Sequence, residues 1–127
     1  MSGFLSIADA AEAVGLSAHT LRYYERIGLI PPVGRRGGAR RYANDDMRWL
    51  EFLVRLRGTG MSVVEMRRYA ELRRSGDTMD SVGERRALLE KHAARLEAEM
   101  GALGETLAYL NDKIRRYAEI QASAEPV

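Results

Sequence analysis

From Val82 to Tyr117 the chain places a large side chain at every seventh position, and this repeat limits its possible folds more than any other feature. Val82, Leu89, Leu96, Leu103, Leu110 and Tyr117 make one row. Arg86, Ala93, Met100, Leu107 and Ile114 make a second, offset by four, with Arg86 a poor fit at its N-terminal end. Two such rows are the a and d positions of a heptad sustained over about five repeats. A helix of that length has an apolar seam and no core of its own to cover it. Two arrangements bury the seam: a partner helix, or a fold-back onto the rest of the chain. Residues 1–75 offer too little surface for the second. Residues 76–120 are therefore expected to be a dimerisation helix, joined through Leu89, Ala93, Leu96, Met100, Leu103, Leu107, Leu110, Ile114 and Tyr117. Residues 121–127, QASAEPV, are expected to be a disordered tail.

The segment before the heptads has a different pattern. Ser6 can cap a helix whose first turn holds Asp9 and whose apolar face is Ile7, Ala10, Ala11 and Val14. Gly15 ends it. Ser17 caps a second helix running to about Ile27, with Gly28 suited to the residue just beyond its end. Leu16, Leu21 and Ile27 are expected to pack inward. Two short helices joined by VGLS match a helix-turn-helix, whose second helix enters the major groove. Pro31-Pro32 blocks further helix. In the following VGRRGGARRY, Gly37-Gly38 suits a tight hairpin turn flanked by Arg35, Arg36, Arg40 and Arg41. That predicts a two-stranded wing with a basic tip. A third helix is expected from about Asp45 to Arg57. A fourth is expected from the capping box Ser62-Val-Val-Glu65 to about Arg74.

Charge follows the same division. Residues 1–75 hold 13 Lys/Arg against 8 Asp/Glu, and residues 76–127 hold 7 against 10, within a net charge of +2. Every cation of the front half is arginine, the residue that bonds phosphates and guanine edges bidentately. The split points to a polyanion-binding module joined to another element. The stretch HTLRYYERIGLIPP, residues 19–32, fits that role. Ser17, Ala18 and His19 stand at the helix N-terminus, where base contacts are commonest. The hydroxyls of Thr20, Tyr23 and Tyr24 suit phosphates, and Arg22 suits phosphate or guanine.

The runs LSIADAAEAVGLSAHTLRYYERIGLIPP and RRYANDDMRWLEFLVRLRGTGMSVVEM resemble the MerR family of bacterial transcription regulators, over residues 4 to about 75. The nearest subgroup ends just after its coiled coil and includes aldehyde-responsive members. The resemblance implies a mainly α chain: a winged helix-turn-helix domain (1–75), then a long helix forming an antiparallel coiled coil in a homodimer. It also implies a pseudo-palindromic promoter operator, DNA distortion between the −35 and −10 elements, and RNA polymerase at that promoter. The motif match makes Arg22, Tyr23, Arg41 and Tyr42 the foremost DNA contacts.

The chain departs from its relatives in chemistry. It has no cysteine, which removes disulfides and thiolate ligands. The place of the aldehyde-responsive subgroup's reactive cysteine falls near Arg55. His19 and His92 share no ligand spacing; His19 is expected to face DNA and His92 to flank the coil. No metal or cofactor is expected. A non-covalent small-molecule effector has one candidate pocket, where Trp49, Phe52 and Tyr69 would meet a partner's coil; the alternative is that the three rings are ordinary core. No nucleophile–base pair or phosphate loop suggests an enzyme. No apolar run reaches 18 residues and no leader is evident, so a cytoplasmic location without a membrane partner is expected. The competing function is a DNA-architectural or recombination-accessory winged-helix protein, against which the long dimer helix argues.

Overall fold

The computed structural model describes residues 3–124. The elements in chain order are β1 (Leu5–Ser6), α1 (Ile7–Val14), α2 (Ala18–Arg26), β2 (Gly34–Arg36), β3 (Ala39–Tyr42), α3 (Asn44–Gly58), α4 (Val63–Arg74) and α5 (Met79–Ala124). The architecture is the expected one: a mainly α chain with a helix-turn-helix, a small wing and a long C-terminal helix. It divides into two units, the first ending at Leu88 and the second beginning at Leu89.

Local chemistry sets the helix starts. Ser6 Oγ accepts from the Asp9 amide at 3.1 Å, and Ser17 Oγ accepts from the Thr20 amide at 3.0 Å. Ser62 Oγ accepts from the Glu65 amide at 3.1 Å, so the capping-box serine works as its spacing predicts. α3 begins one residue earlier than expected. Its cap is Ala43, whose side chain accepts nothing; instead the Asp46 carboxylate accepts from the Ala43 amide at 2.8 Å.

α2 stops through a Schellman motif. The amide of Leu29 donates to the Tyr24 carbonyl at 2.9 Å and that of Gly28 to the Glu25 carbonyl at 3.2 Å. Gly28 takes the left-handed conformation this requires, at φ 82°. Leu29 and Ile30, directly after the stop, are core residues.

That core also takes Leu21 from α2, Leu50 and Leu53 from α3 and Met66 from α4. Burial of each such side chain contributes about 1.5–3 kcal/mol. Of the three residues expected to face inward from the first two helices, Leu21 is fully buried, while Leu16 and Ile27 are half-buried.

The wing has three strands where two were expected. β3 pairs antiparallel with β2 and, on its other side, with β1, giving the order β1-β3-β2. The two-residue β1 carries too little sequence for alternation to reveal it. At the hairpin tip Gly37 and Gly38 both have positive φ, 56° and 82°, as a primed turn needs.

The first turns of α5 are bonded to α4. Ser81 Oγ donates to the Leu72 carbonyl at 2.5 Å, and Arg68 Nη2 lies 2.6 Å from Glu84 Oε2. Arg85 bonds Asp77 at 2.8 Å. These ties account for the first unit reaching Leu88, beyond the boundary at 75/76 suggested by the charge and heptad patterns. α5 itself runs 46 residues without interruption. Residues 121–124, expected to be disordered, continue the helix, which corrects that reading. Ala122 and Ala124 favour helix, and Ser123, a weaker helix former, satisfies its hydroxyl on the Glu119 carbonyl at 3.0 Å. Residues 125–127 of the expected tail lie outside the described residues.

Candidate nucleic-acid interface

α2 has two distinct faces. Leu21 and Tyr24 point into the core, three residues apart on one side. His19, Arg22, Tyr23 and Arg26 are exposed and recur at helical spacing on the other. The Arg26 guanidinium lies over the Tyr23 ring, 5.5 Å from its centroid, which adds Arg26 to the residues the sequence singled out. It sits four positions after Arg22, a spacing that could have revealed it. Ser17 and Thr20 sit at the helix start with their hydroxyls bonded to each other at 2.9 Å, and Ala18 beside them is half-buried.

Tyr24 corrects the expectation of a DNA contact. It is 5 % exposed, and Arg57 Nη1 donates to its hydroxyl at 3.0 Å. Its position, three residues after the fully buried Leu21, puts it on the inward face. Tyr42 is a second correction, being 0 % exposed at the end of β3. Its hydroxyl has no hydrogen-bond partner. Burial, the largest influence, raises the Tyr42 pKa above 10.0; Arg40 opposes the rise, while Glu25 and Asp46 add to it. The hydroxyl therefore stays neutral at ordinary pH.

The sheet register sorts the wing arginines onto two faces. Arg35 pairs with Arg40 across the hairpin, and Arg40 shares its face with Tyr42 two residues on. Both reach Glu25 of α2. Arg40 Nε donates to Glu25 Oε1 at 2.9 Å, and Arg35 Nη2 lies 3.6 Å from Glu25 Oε2. Arg35 also donates to the Gly38 carbonyl at 3.3 Å across the turn. Arg36 and Arg41 occupy the opposite face. The Arg41 guanidinium lies 4.2 Å from the centroid of the Phe4 ring, which β1 carries to that side through the Ser6–Arg41 pair. Phe4 and Glu25 are thus parts of the interface that the sequence did not announce. Each is seen through the arginines it touches, Arg41 for Phe4 and Arg35 and Arg40 for Glu25.

The three rings of the candidate effector pocket do come together. Trp49, Phe52 and Tyr69 have mutual centroid distances of 5.5–5.9 Å. Trp49 is 6 % exposed, its Nε1 donates to the Leu29 carbonyl at 2.8 Å, and Arg73 lies over its face at 4.4 Å. For Trp49 this is the geometry of core.

His19 is exposed at the start of α2, and His92, expected to flank the coil, is buried. Its Nδ1 stands 3.0 Å from Arg95 Nη2; a guanidinium only donates, so the ring nitrogen accepts. Heptad position alone could not show this. Among the described residues, no three His, Asp or Glu side chains are grouped to hold a metal ion. No helix among them is long and apolar enough to cross a membrane.

Residues 5–72 match the MerR HTH family of regulatory proteins, and residues 47–113 match the MerR DNA-binding family. The chain belongs to the MerR family. It is 39 % identical over 116 residues to an HTH-type transcriptional regulator of Haemophilus influenzae, covering 91 % of this chain and 84 % of the relative. It is 42 % identical over 93 residues to the HTH-type transcriptional regulator AdhR of Bacillus subtilis, covering 72 % of this chain and 65 % of AdhR. Among solved structures, HiNmlR, a MerR family regulator lacking the sensor domain and bound to promoter DNA, superposes with a TM-score of 0.81. That match has 38 % identity and covers 94 % of each chain. A structure described as a MerR family transcriptional regulator from Listeria monocytogenes superposes with a TM-score of 0.84 at 38 % identity, covering 94 % of this chain and 91 % of that one. As a member of this family the chain is a DNA-binding transcription regulator, and the relatives found are regulators rather than enzymes.

Proposed function

We propose that this MerR family chain works as a homodimer on a pseudo-palindromic promoter operator. It controls transcription by distorting the DNA between the −35 and −10 elements so that RNA polymerase engages both. The observation that carries the reading is the two-faced α2. Its core face locks the helix in place, while His19, Arg22, Tyr23 and Arg26 are offered together to a groove. The wing supports it with Arg36 and Arg41 on one face and the Glu25-bound pair on the other. Phosphate contacts of this kind position a protein on the duplex, and helix contacts to base edges specify the site.

Dimerisation is supported by α5. From Met100 to Tyr117 the seam residues Met100, Leu103, Leu107, Leu110, Ile114 and Tyr117 are 50–71 % exposed in the single chain. A second copy offers a matching row, against which such a seam gains stability by burial. Bending and untwisting promoter DNA costs several kcal/mol, roughly, and two sets of arginines help to offset it.

The test is titration of the purified protein against the DNA upstream of its own gene and against a scrambled duplex, at two salt concentrations. Tighter binding to the native fragment, with footprints on both sides of a dyad between the promoter elements, is the expected result. Equal binding to both duplexes at both salts would count against an operator there and favour an architectural role.

A further inference from the structure

We infer that Glu25 is a positioning residue that sets how strongly this protein prefers its operator over other DNA. The inference rests on the DNA-reading role proposed above. Glu25 is a carboxylate in the last turn of the recognition helix, close to where a polyanion is expected to bind. Left unpaired there, it would repel phosphate. Its side chain is instead 14 % exposed and sits between two guanidinium groups, Arg40 at 2.9 Å and Arg35 at 3.6 Å. Those two arginines are cross-strand partners, so one acidic group grips the hairpin from both strands.

Two consequences follow from that geometry. The first is orientation. β1 and the buried Tyr42 anchor the base of the wing, and its tip, three- and four-residue strands closed by Gly37-Gly38, projects beyond them. Arg40 Nε–Glu25 is a charge-assisted bond that joins this tip to α2, and it helps set where the tip stands relative to the groove-reading face. The second is charge. Arg35, Arg40 and Glu25 together carry one net positive charge instead of two. The wing's grip on any phosphate backbone is thereby reduced, while its contact in the one fitting geometry is kept. Weakening indiscriminate binding while preserving the matched contact raises the ratio of specific to nonspecific affinity.

The experiment measures affinity of the full chain for operator and scrambled DNA across salt, for wild type, Glu25→Gln and Glu25→Asp. Glu25→Gln should tighten binding to scrambled DNA and steepen its salt dependence by about one phosphate's worth. One such contact amounts to about a threefold affinity change between 50 and 200 mM salt. Operator affinity should not rise in proportion, so the specificity ratio should fall, and more at about 50 mM than at about 200 mM salt. Glu25→Asp keeps the charge but shortens the reach; its salt slope should match wild type while its ratio falls. A purely structural role would lower thermal stability and both affinities together, with ratio and slope unchanged, and that result overturns the inference. Should Glu25→Gln fail to fold, an unchanged ratio in Glu25→Asp overturns it equally. Loss of discrimination in the wild type itself would instead overturn the operator reading, which keeps the two failures distinct.

Discussion

Trp49 Nε1 donates to the carbonyl oxygen of Leu29 at 2.8 Å, joining the middle of α3 to the chain just beyond the recognition helix. Leu29 is also where the Schellman motif ends α2, and Arg74 Nη1 bonds the preceding carbonyl, that of Gly28, at 2.9 Å. The end of α2 is therefore held by three separate contacts. Trp49→Phe removes the indole donor, leaves the buried carbonyl short of a partner and leaves unfilled volume. The expected loss is about 2–4 kcal/mol of unfolding free energy, read by urea denaturation. A variant within about 0.5 kcal/mol of wild type would show that neither the bond nor the packing of Trp49 stabilises the domain appreciably.

Tyr42 makes the opposite prediction. Its hydroxyl is buried with no partner, an arrangement that costs about 1–3 kcal/mol. Tyr42→Phe should be neutral or more stable, with operator affinity unchanged. The pH dependence follows from the raised pKa. The folded state holds the phenolic proton more tightly than the unfolded state, so this contribution is complete below about pH 10. It is lost as pH rises from there through the folded pKa. The alkaline loss of stability should therefore be smaller in the phenylalanine variant, measured by thermal melts between neutral pH and pH 11. A clear drop in DNA affinity for Tyr42→Phe would return the hydroxyl to the interface.

How much of this was legible beforehand depended on the range of the interaction. Ser6, Ser17 and Ser62 cap helices through bonds to the third residue on, so their spacing predicts the helix starts. The Gly37-Gly38 turn is equally local. The inward turn of Tyr24 follows from its spacing to Leu21, but its two neighbouring hydroxyl-bearing residues, Thr20 and Tyr23, drew it into the same functional reading. Glu25 with Arg40, and Phe4 with Arg41, join residues 15 and 37 positions apart by numbering. Contacts at such separations are set by tertiary packing, which no periodicity encodes. The burial of Tyr42 belongs to the same class, because β1 and its pairing to β3 leave almost no trace in composition.

Arg41 stands on the wing face away from Glu25, stacked on Phe4. Arg41→Ala should weaken specific and nonspecific binding to a similar extent and flatten the salt slope by about 1, as loss of one phosphate contact requires. Phe4→Leu leaves the charge and removes the face beneath it; the slope should stay while affinity falls by roughly the 0.5–1 kcal/mol of an exposed cation–π contact. An Arg41→Ala slope equal to wild type would take Arg41 off the phosphate backbone.

Leu103 belongs to the exposed seam of α5 and is 69 % exposed in the single chain. Leu103→Asp costs a monomer only the poorer helix propensity of aspartate, about 0.5 kcal/mol, because the residue already faces water there. In a coiled coil it would place a carboxylate at a d position against the partner's apolar row, where the charge is stripped of solvent without an opposite charge to meet it. The expected outcome is a shift from dimer to monomer in sedimentation at micromolar concentration. Operator binding should weaken with it, since a half-site bound alone loses the gain of joining two modules. Residues 1–88 should keep their near-ultraviolet signal from Trp49, since Leu103 lies outside that unit. A dimer of unchanged stability would place the contact between copies elsewhere than on the heptad rows.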